Sequence, residues 1–412
     1  MRILALNSRL KPTAAILLSV GIVIGCSAPQ KEAVETDPLE VLQPPIGANS
    51  SLPFLTKAKD RLYLSWVEKS GDSTMLKYAF LEKDKWSEAK KIASGTDWFV
   101  NWADYPMISV TDSGMMAHFL AKSSEGAYSY DVNLTQSENG DAWSEPFVVH
   151  DDGTETEHGF VTMLPFEGKI LTTWLDGRNT GDGGHGDVEM EHRGAMTVRS
   201  AIVDLSGNLE MESQLDDRVC DCCQTGGAVT ATGPVIVYRD RSEEEIRDMS
   251  IVRLVNGSWT APQPVFQDNW KIAGCPVNGP RAAAIENSLA VAWFSAAEGN
   301  AEVKLIFSKD GGETFGPSFK IDGGKPAGRV DVAMVDENNA LVSWVETTEN
   351  GAEVRVSKIS SDGNILSTKT IGEIDPSRKS GFPQLEIIGE GIYVAWTDLI
   401  GKEQPEVRIV KV

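Results

Sequence analysis

Leu289-Ala290-Val291-Ala292-Trp293 is a short apolar run that ends in an aromatic, and it is one of seven such runs in the chain. Before it come Leu62-Tyr63-Leu64-Ser65-Trp66, Met116-Ala117-His118-Phe119, Ile170-Leu171-Thr172-Thr173-Trp174 and Val235-Ile236-Val237-Tyr238. After it come Ala340-Leu341-Val342-Ser343-Trp344 and Ile392-Tyr393-Val394-Ala395-Trp396. Successive aromatics are 53, 55, 64, 55, 51 and 52 residues apart. Short apolar runs bounded by turn residues read as strands covered on both faces. A period near 52 residues leaves room for four short strands with their turns. One such unit cannot bury both of its faces alone, so the units must stack on one another.

A second signal lies late in the units. Trp86-Ser87-Glu88-Ala89, Trp143-Ser144-Glu145-Pro146, Trp259-Thr260-Ala261-Pro262 and Phe315-Gly316-Pro317 each follow a tight turn. The turn before Phe315 is Ser308-Lys309-Asp310-Gly311-Gly312-Glu313-Thr314, which resembles the Asp-box of the sialidase-like BNR-repeat propellers, S-x-D-x-G-x-x-[W/F], at every defined position. Ser137-Glu138-Asn139-Gly140-Asp141-Ala142-Trp143 resembles it one residue short, and Ser360-Ser361-Asp362-Gly363 keeps the turn alone. The resemblance implies an all-β β-propeller of four-stranded blades over residues 49–412. Seven blades fit the repeat count better than the six usual in sialidases. The last unit has three evident strands, and Leu39 to Gln43 is expected to supply the fourth and close the ring. The resemblance also implies that the Asp-box is a structural turn far from any site.

Residues 1–25 read as an export signal. Arg2, Arg9 and Lys11 precede the apolar run Thr13 to Gly25, which is too short for a permanent membrane span. Val23-Ile24-Gly25-Cys26 resembles a bacterial lipobox, which implies lipid on Cys26, and Ser27 resembles the outer-membrane sorting pattern. Residues 26–48 then form the lipidated cysteine and a Pro-rich tether. The formal charge is −22, from 38 basic and 60 acidic residues. Such a surface disfavours nucleic acid and polyanions, and it favours a cationic or metal-bridged partner.

In a propeller, the loop leading into strand one and the loop between strands two and three share one end of the ring. Here those loops hold the reactive residues: Asp104, His158, the Cys220-Asp221-Cys222-Cys223-Gln224 stretch, Cys275 to Arg281 with Asn278, and Arg329. The two-three loops add Asp176-Gly177-Arg178, with an insertion from Asn179 to Arg193 that carries His185, Asp187 and His192, and Arg239-Asp240-Arg241. Loops on a rigid scaffold are where function concentrates. Sialidases hold a substrate carboxylate with three arginines and use a Tyr–Glu nucleophile pair with an Asp acid/base. The resemblance therefore implies Arg178, Arg239, Arg241, Arg281, Arg329, His158 and Asn278 as ligand-binding candidates, and Asp104, Asp176 and Asp240 as candidate acids of an exo-glycosidase. The arginine-bearing [F/Y]-R-I-P motif of sialidases is absent, with Pro53-Phe54-Leu55 near its place, and no residue matches the nucleophilic tyrosine.

Cys220, Cys222, Cys223 and Cys275 admit three readings. In an exported protein, four cysteines suggest two disulfides, although adjacent Cys222 and Cys223 bridge poorly. Alternatively, soft sulfur ligands suit a copper or zinc centre, completed by His158 or His185. The third reading is a reactive thiol. Three functions follow: a cell-envelope propeller lipoprotein that binds or hydrolyses a glycan or other small anionic ligand, a thiolate metal centre on that scaffold, or a partner-binding scaffold without catalysis.

Overall fold

A computed structural model of the chain describes residues 39–181 and 194–412. The export signal, Cys26, most of the tether and His185, Asp187 and His192 lie outside the described residues. Among those described, no helix is long and apolar enough to cross a membrane.

The strands form seven antiparallel sheets. Blade 5 shows the pattern: Arg281–Ile285 innermost, then Ser288–Ser295, Glu302–Ser308 and Phe319–Lys320. Blades 1, 2, 3, 4, 6 and 7 begin at Ser50–Ala58, Ile108–Val110, His158–Phe166, Gly226–Thr230, Pro326–Asp336 and Gln384–Ile388. The seven innermost strands touch one another in cyclic order around an axial channel. In blades 1 and 4 the outer strand is broken into two short segments, both paired to strand three. The ring closes as expected. Glu40–Val41 is the outer strand of blade 7, with Glu40 opposite Lys411 and Val41 opposite Val410.

Burial explains the repeated run. Strand two of each blade is covered by both neighbouring blades, and Trp66, Trp174, Trp293, Trp344 and Trp396 are fully buried there. A buried indole N–H needs an acceptor. Trp66 donates to Glu68, Trp174 to Asp176 and Trp344 to Glu346, each two residues on and at the same end of the strand. Outer strands such as Ile365–Ile374 are largely exposed and correspondingly polar.

The Asp-box is the turn between strand three and the outer strand of blade 5. Asp310 accepts from the Thr314 N–H and hydroxyl, and Ser308 Oγ accepts from the Gly312 N–H. Gly311 and Gly312 stand at φ 71° and 84°, the left-handed region where a side chain is strained. The turn is structural.

Candidate functional site

The mouth loops are stapled together by the polar residues that the sequence placed there. Innermost strands of blades 1, 3 and 6 carry a bulge near the mouth, with Leu52, Phe160 and Arg329 at φ 54°, 53° and 56°. That conformation costs about 1–3 kcal/mol for a residue with a side chain. Each bulged N–H is caught by a neighbouring blade: Leu52 by Thr397 Oγ1 at 3.0 Å, Phe160 by Asp104 Oδ1 at 2.8 Å and Arg329 by Asn278 Oδ1 at 2.7 Å. Gln224 continues the ring, donating to the Ala103 carbonyl and accepting from the Gly279 N–H. Asp104 and Asn278 are thus committed to backbone groups. Burial, with Glu157 nearby, pushes the Asp104 carboxyl up to about 8 despite the Phe160 N–H.

The arginines do not form a shared carboxylate clamp. Arg239 is buried and donates to the carbonyls of Arg247, Asn278 and Phe294. Arg329 donates to Ser380 Oγ and to the carbonyls of Pro376, Ser377 and Gly381. Arg241 is held by Asp221 and Glu245, and Arg178 by Asp176 and Asp152. Only Arg281 opens toward the axial channel, a cavity of about 390 Å³ that Asp331, Thr162 and Gln384 also line. Its Nη2 is buried without a partner, and its Nε stands 3.9 Å from Asp331. The physical reason is local: buried guanidinium groups need acceptors, and Arg178, Arg239, Arg241 and Arg329 each take those of the nearest carbonyls or carboxylates.

The candidate acids divide likewise. Asp176 accepts from the Trp174 indole and pairs with Arg178, as the acids two residues after other strand tryptophans hold their indoles. Asp240 accepts from the Arg241 N–H and the Ser250 hydroxyl, which fixes its turn. One Tyr–Glu pair is present, Tyr130 donating to Glu157 Oε1 at 2.5 Å. Tyr130 is 1% exposed and stacks on Phe99 at 3.9 Å, so it positions the junction of blades 2 and 3 and cannot meet a substrate.

The four cysteines do converge. Cys220 follows the outer strand of blade 3, Leu209–Val219, and its sulfur lies 3.3 Å from Cys223 Sγ and 4.0 Å from Cys222 Sγ. Cys275, from the next mouth loop, hydrogen-bonds with Cys222. No disulfide joins any of the four, so the two expected disulfides are not found. The backbone turns three sulfurs of one short loop toward one another. Burial raises the Cys220 thiol, but hydrogen bonds from Cys222 and Cys223 with the charges of Arg247 and Arg239 overcome this and hold it well below the usual thiol range. Arg247 Nη1 reaches Cys220 Sγ at 3.3 Å.

A second cluster gathers at the same end, between blades 2 and 3. His158 opens blade 3 and stacks on His150 with ring centroids 3.7 Å apart. Asp131, Asp152 and Asp176 surround the pair. Of these, the sequence reading singles out His158 and Asp176 but not Asp131, His150 or Asp152. The available signal was two of only five histidines lying eight residues apart, with Asp151-Asp152 between them.

No family model matches this sequence, and no curated protein matches it. Solved structures do. The polysaccharide lyase Uly1 is 8% identical, with 87% of this chain and 88% of that chain covered at a TM-score of 0.51. The Hadza microbial sialidase Hz136 is 13% identical over 82% of this chain and 72% of that chain, with a TM-score of 0.48. An α-L-arabinanase of Penicillium chrysogenum, complexed with arabinobiose, is 11% identical over 91% and 96%, with a TM-score of 0.47. The fold is a seven-bladed β-propeller. At such identities the likeness extends to the fold alone, and the chemistry must be read from this chain's own residues.

Proposed function

We propose that this chain is an exported cell-envelope lipoprotein whose propeller binds a soft or borderline cation, copper(I) or zinc, through Cys220, Cys222 and Cys223, with Cys275 beside them. The carrying observation is the sulfur geometry. Spacings of 3.3 and 4.0 Å bracket the ~3.8 Å edge of a tetrahedron with ~2.3 Å metal–sulfur bonds. Arg247 offsets the negative charge that several thiolates place in a buried site. The test is a native thiol count: alkylation and intact mass of protein made in an oxidising periplasm, with and without chelator. Thiols that alkylate only after chelation support the centre. Full oxidation in both conditions, with no metal in the purified protein, sinks it. Metabolic labelling with a fatty-acid probe, compared between wild type and Cys26→Ala, tests the anchor.

Arg281 favours a second reading, in which the axial channel takes a glycan or another small anionic ligand. Arg281 lines a cavity large enough for a monosaccharide-sized group and carries an unpartnered Nη2 just beneath its wall. A polysaccharide lyase shares the fold, which keeps a glycan among the candidates. Titration of wild type and Arg281→Gln with uronic and sialic acids by NMR tests this reading, and indistinguishable titrations would remove it.

A further inference from the structure

We infer that His150, His158 and Asp131 form a second cation site, of two-histidine, one-carboxylate type, for a divalent transition metal such as zinc or iron(II). The site is separate from the cysteine cluster and does not depend on it.

The two imidazoles stack nearly parallel, 16° apart, so their nitrogens line up in two rows. On one side, His150 Nδ1 and His158 Nε2 lie 3.0 and 3.1 Å from the same oxygen, Asp152 Oδ2. On the other, His150 Nε2 and His158 Nδ1 lie 3.7 and 3.6 Å from Asp131 Oδ1. His150 Nε2, His158 Nδ1 and Asp131 Oδ1 are all buried atoms without a hydrogen bond, as are His158 Nε2 and Asp152 Oδ2 on the opposite side. His158 is 0% exposed and the His150 side chain 3%. Leaving three such atoms unpaired costs several kcal/mol in aggregate, which a shared cation would remove. Their separations slightly exceed the ~3.0–3.4 Å edges expected around a cation with bonds of about 2.0–2.1 Å, and the two stacked rings must tilt toward a common point to complete the triad.

The surroundings match what such ligands need. A metal-bound imidazole usually gives its far N–H to a carboxylate, which fixes the tautomer and orients the ring. Asp152 Oδ2 lies 3.0 and 3.1 Å from the far nitrogens of the two rings, near enough to take that role once the rings turn. It is itself held by the Thr154 N–H at 2.9 Å, the Thr154 hydroxyl at 2.5 Å and Arg178 Nη2 at 3.2 Å. Asp176 anchors Arg178 from behind with contacts of 2.7 and 2.8 Å. The cation therefore belongs on the Asp131 side, away from the Arg178 charge. The Asp131 side chain is 23% exposed, which leaves open positions for water or a ligand. Two nitrogens and one carboxylate suit zinc or iron(II) better than copper(I).

Cobalt(II) is the probe, used on the full mature chain and on a Cys220→Ser/Cys222→Ser/Cys223→Ser variant whose fold is checked by circular dichroism. The expected result is one cobalt per chain in the triple variant, with weak ligand-field bands and no sulfur charge-transfer band. Asp131→Asn and His150→Gln should each abolish that binding, and Asp152→Asn should weaken it roughly 10–100-fold. A folded triple variant that takes up no cobalt, or uptake that Asp131→Asn leaves unchanged, overturns the inference. Should the triple variant fail to fold, the wild-type chain answers the same question. Asp131→Asn must then remove one equivalent of cobalt and leave any sulfur band intact, and no loss overturns the inference. If the thiolate centre fails instead, wild type keeps a single nitrogen–oxygen equivalent, so the two failures are distinguishable.

Discussion

Arg247 binds Cys220 and Glu245 with different arms of one guanidinium: Nη1 lies 3.3 Å from Cys220 Sγ and Nη2 2.7 Å from Glu245 Oε2. A buried cation thus sits against a buried sulfur and favours its ionised form, and the outer carboxylate holds the cation. Removing Arg247 takes that support away. Arg247→Gln is expected to destabilise the chain by about 1–3 kcal/mol in urea unfolding. Combined with Cys220→Ser it should add little further, because both changes break the same contact. Strictly additive losses in the double-mutant cycle would show that the pair is not coupled.

Asp104 sets a pH dependence. Its folded carboxyl, raised to about 8 by burial, is protonated where an unfolded aspartate near ~3.9 is ionised. Between those values the folded chain holds the extra proton, so this group's stabilisation is full at low pH and is lost as pH rises through about 8. Asp104→Asn keeps an oxygen for the Phe160 N–H and carries no charge at any pH. The variant should match wild type at or below about pH 4 and exceed it near pH 9 in urea midpoint. An equal decline in both proteins would assign the slope to other groups.

Trp344 and Trp396 occupy the same position in successive blades with different satisfaction. Trp344 donates its indole N–H to Glu346 at 2.6 Å, whereas the Trp396 indole nitrogen is buried without a partner. Both lose similar apolar area on change to Phe, but only Trp344→Phe removes a hydrogen bond to a buried carboxylate. It should cost roughly 1–2 kcal/mol more than Trp396→Phe by denaturant unfolding.

Ring closure rests on two residue pairs, Glu40 with Lys411 and Val41 with Val410, extended by the Leu42 N–H bonding the Ile409 carbonyl at 3.0 Å. Deleting Leu39 to Gln43 exposes Glu406–Lys411 as an unprotected edge. The deletion should cost on the order of 2 kcal/mol or more and promote association, measurable by unfolding and by light scattering. An unchanged midpoint would mean that the first and last blades hold together without it.

The architecture was legible in the chain because its causes are local and repeated. A strand between two blades must be apolar along its length, and that requirement writes itself into the sequence seven times, with an acceptor two residues on for three of the five tryptophans. Asp310 and Gly312 announce their turn because they bond within five residues of one another. The cysteine cluster was half legible: four thiols were placed at one mouth, but the backbone direction that brings three sulfurs of one loop together is a tertiary fact. The roles of Asp104, Asn278, Arg239 and Arg329 were not legible, since each is decided by an N–H or carbonyl group supplied by a neighbouring blade or a distant loop. The His150–His158 pair was hidden for the same reason. Asp131 and His158 meet only because strand three of one blade packs against strand one of the next, and no spacing along the chain records which side chains two adjacent blades bring face to face.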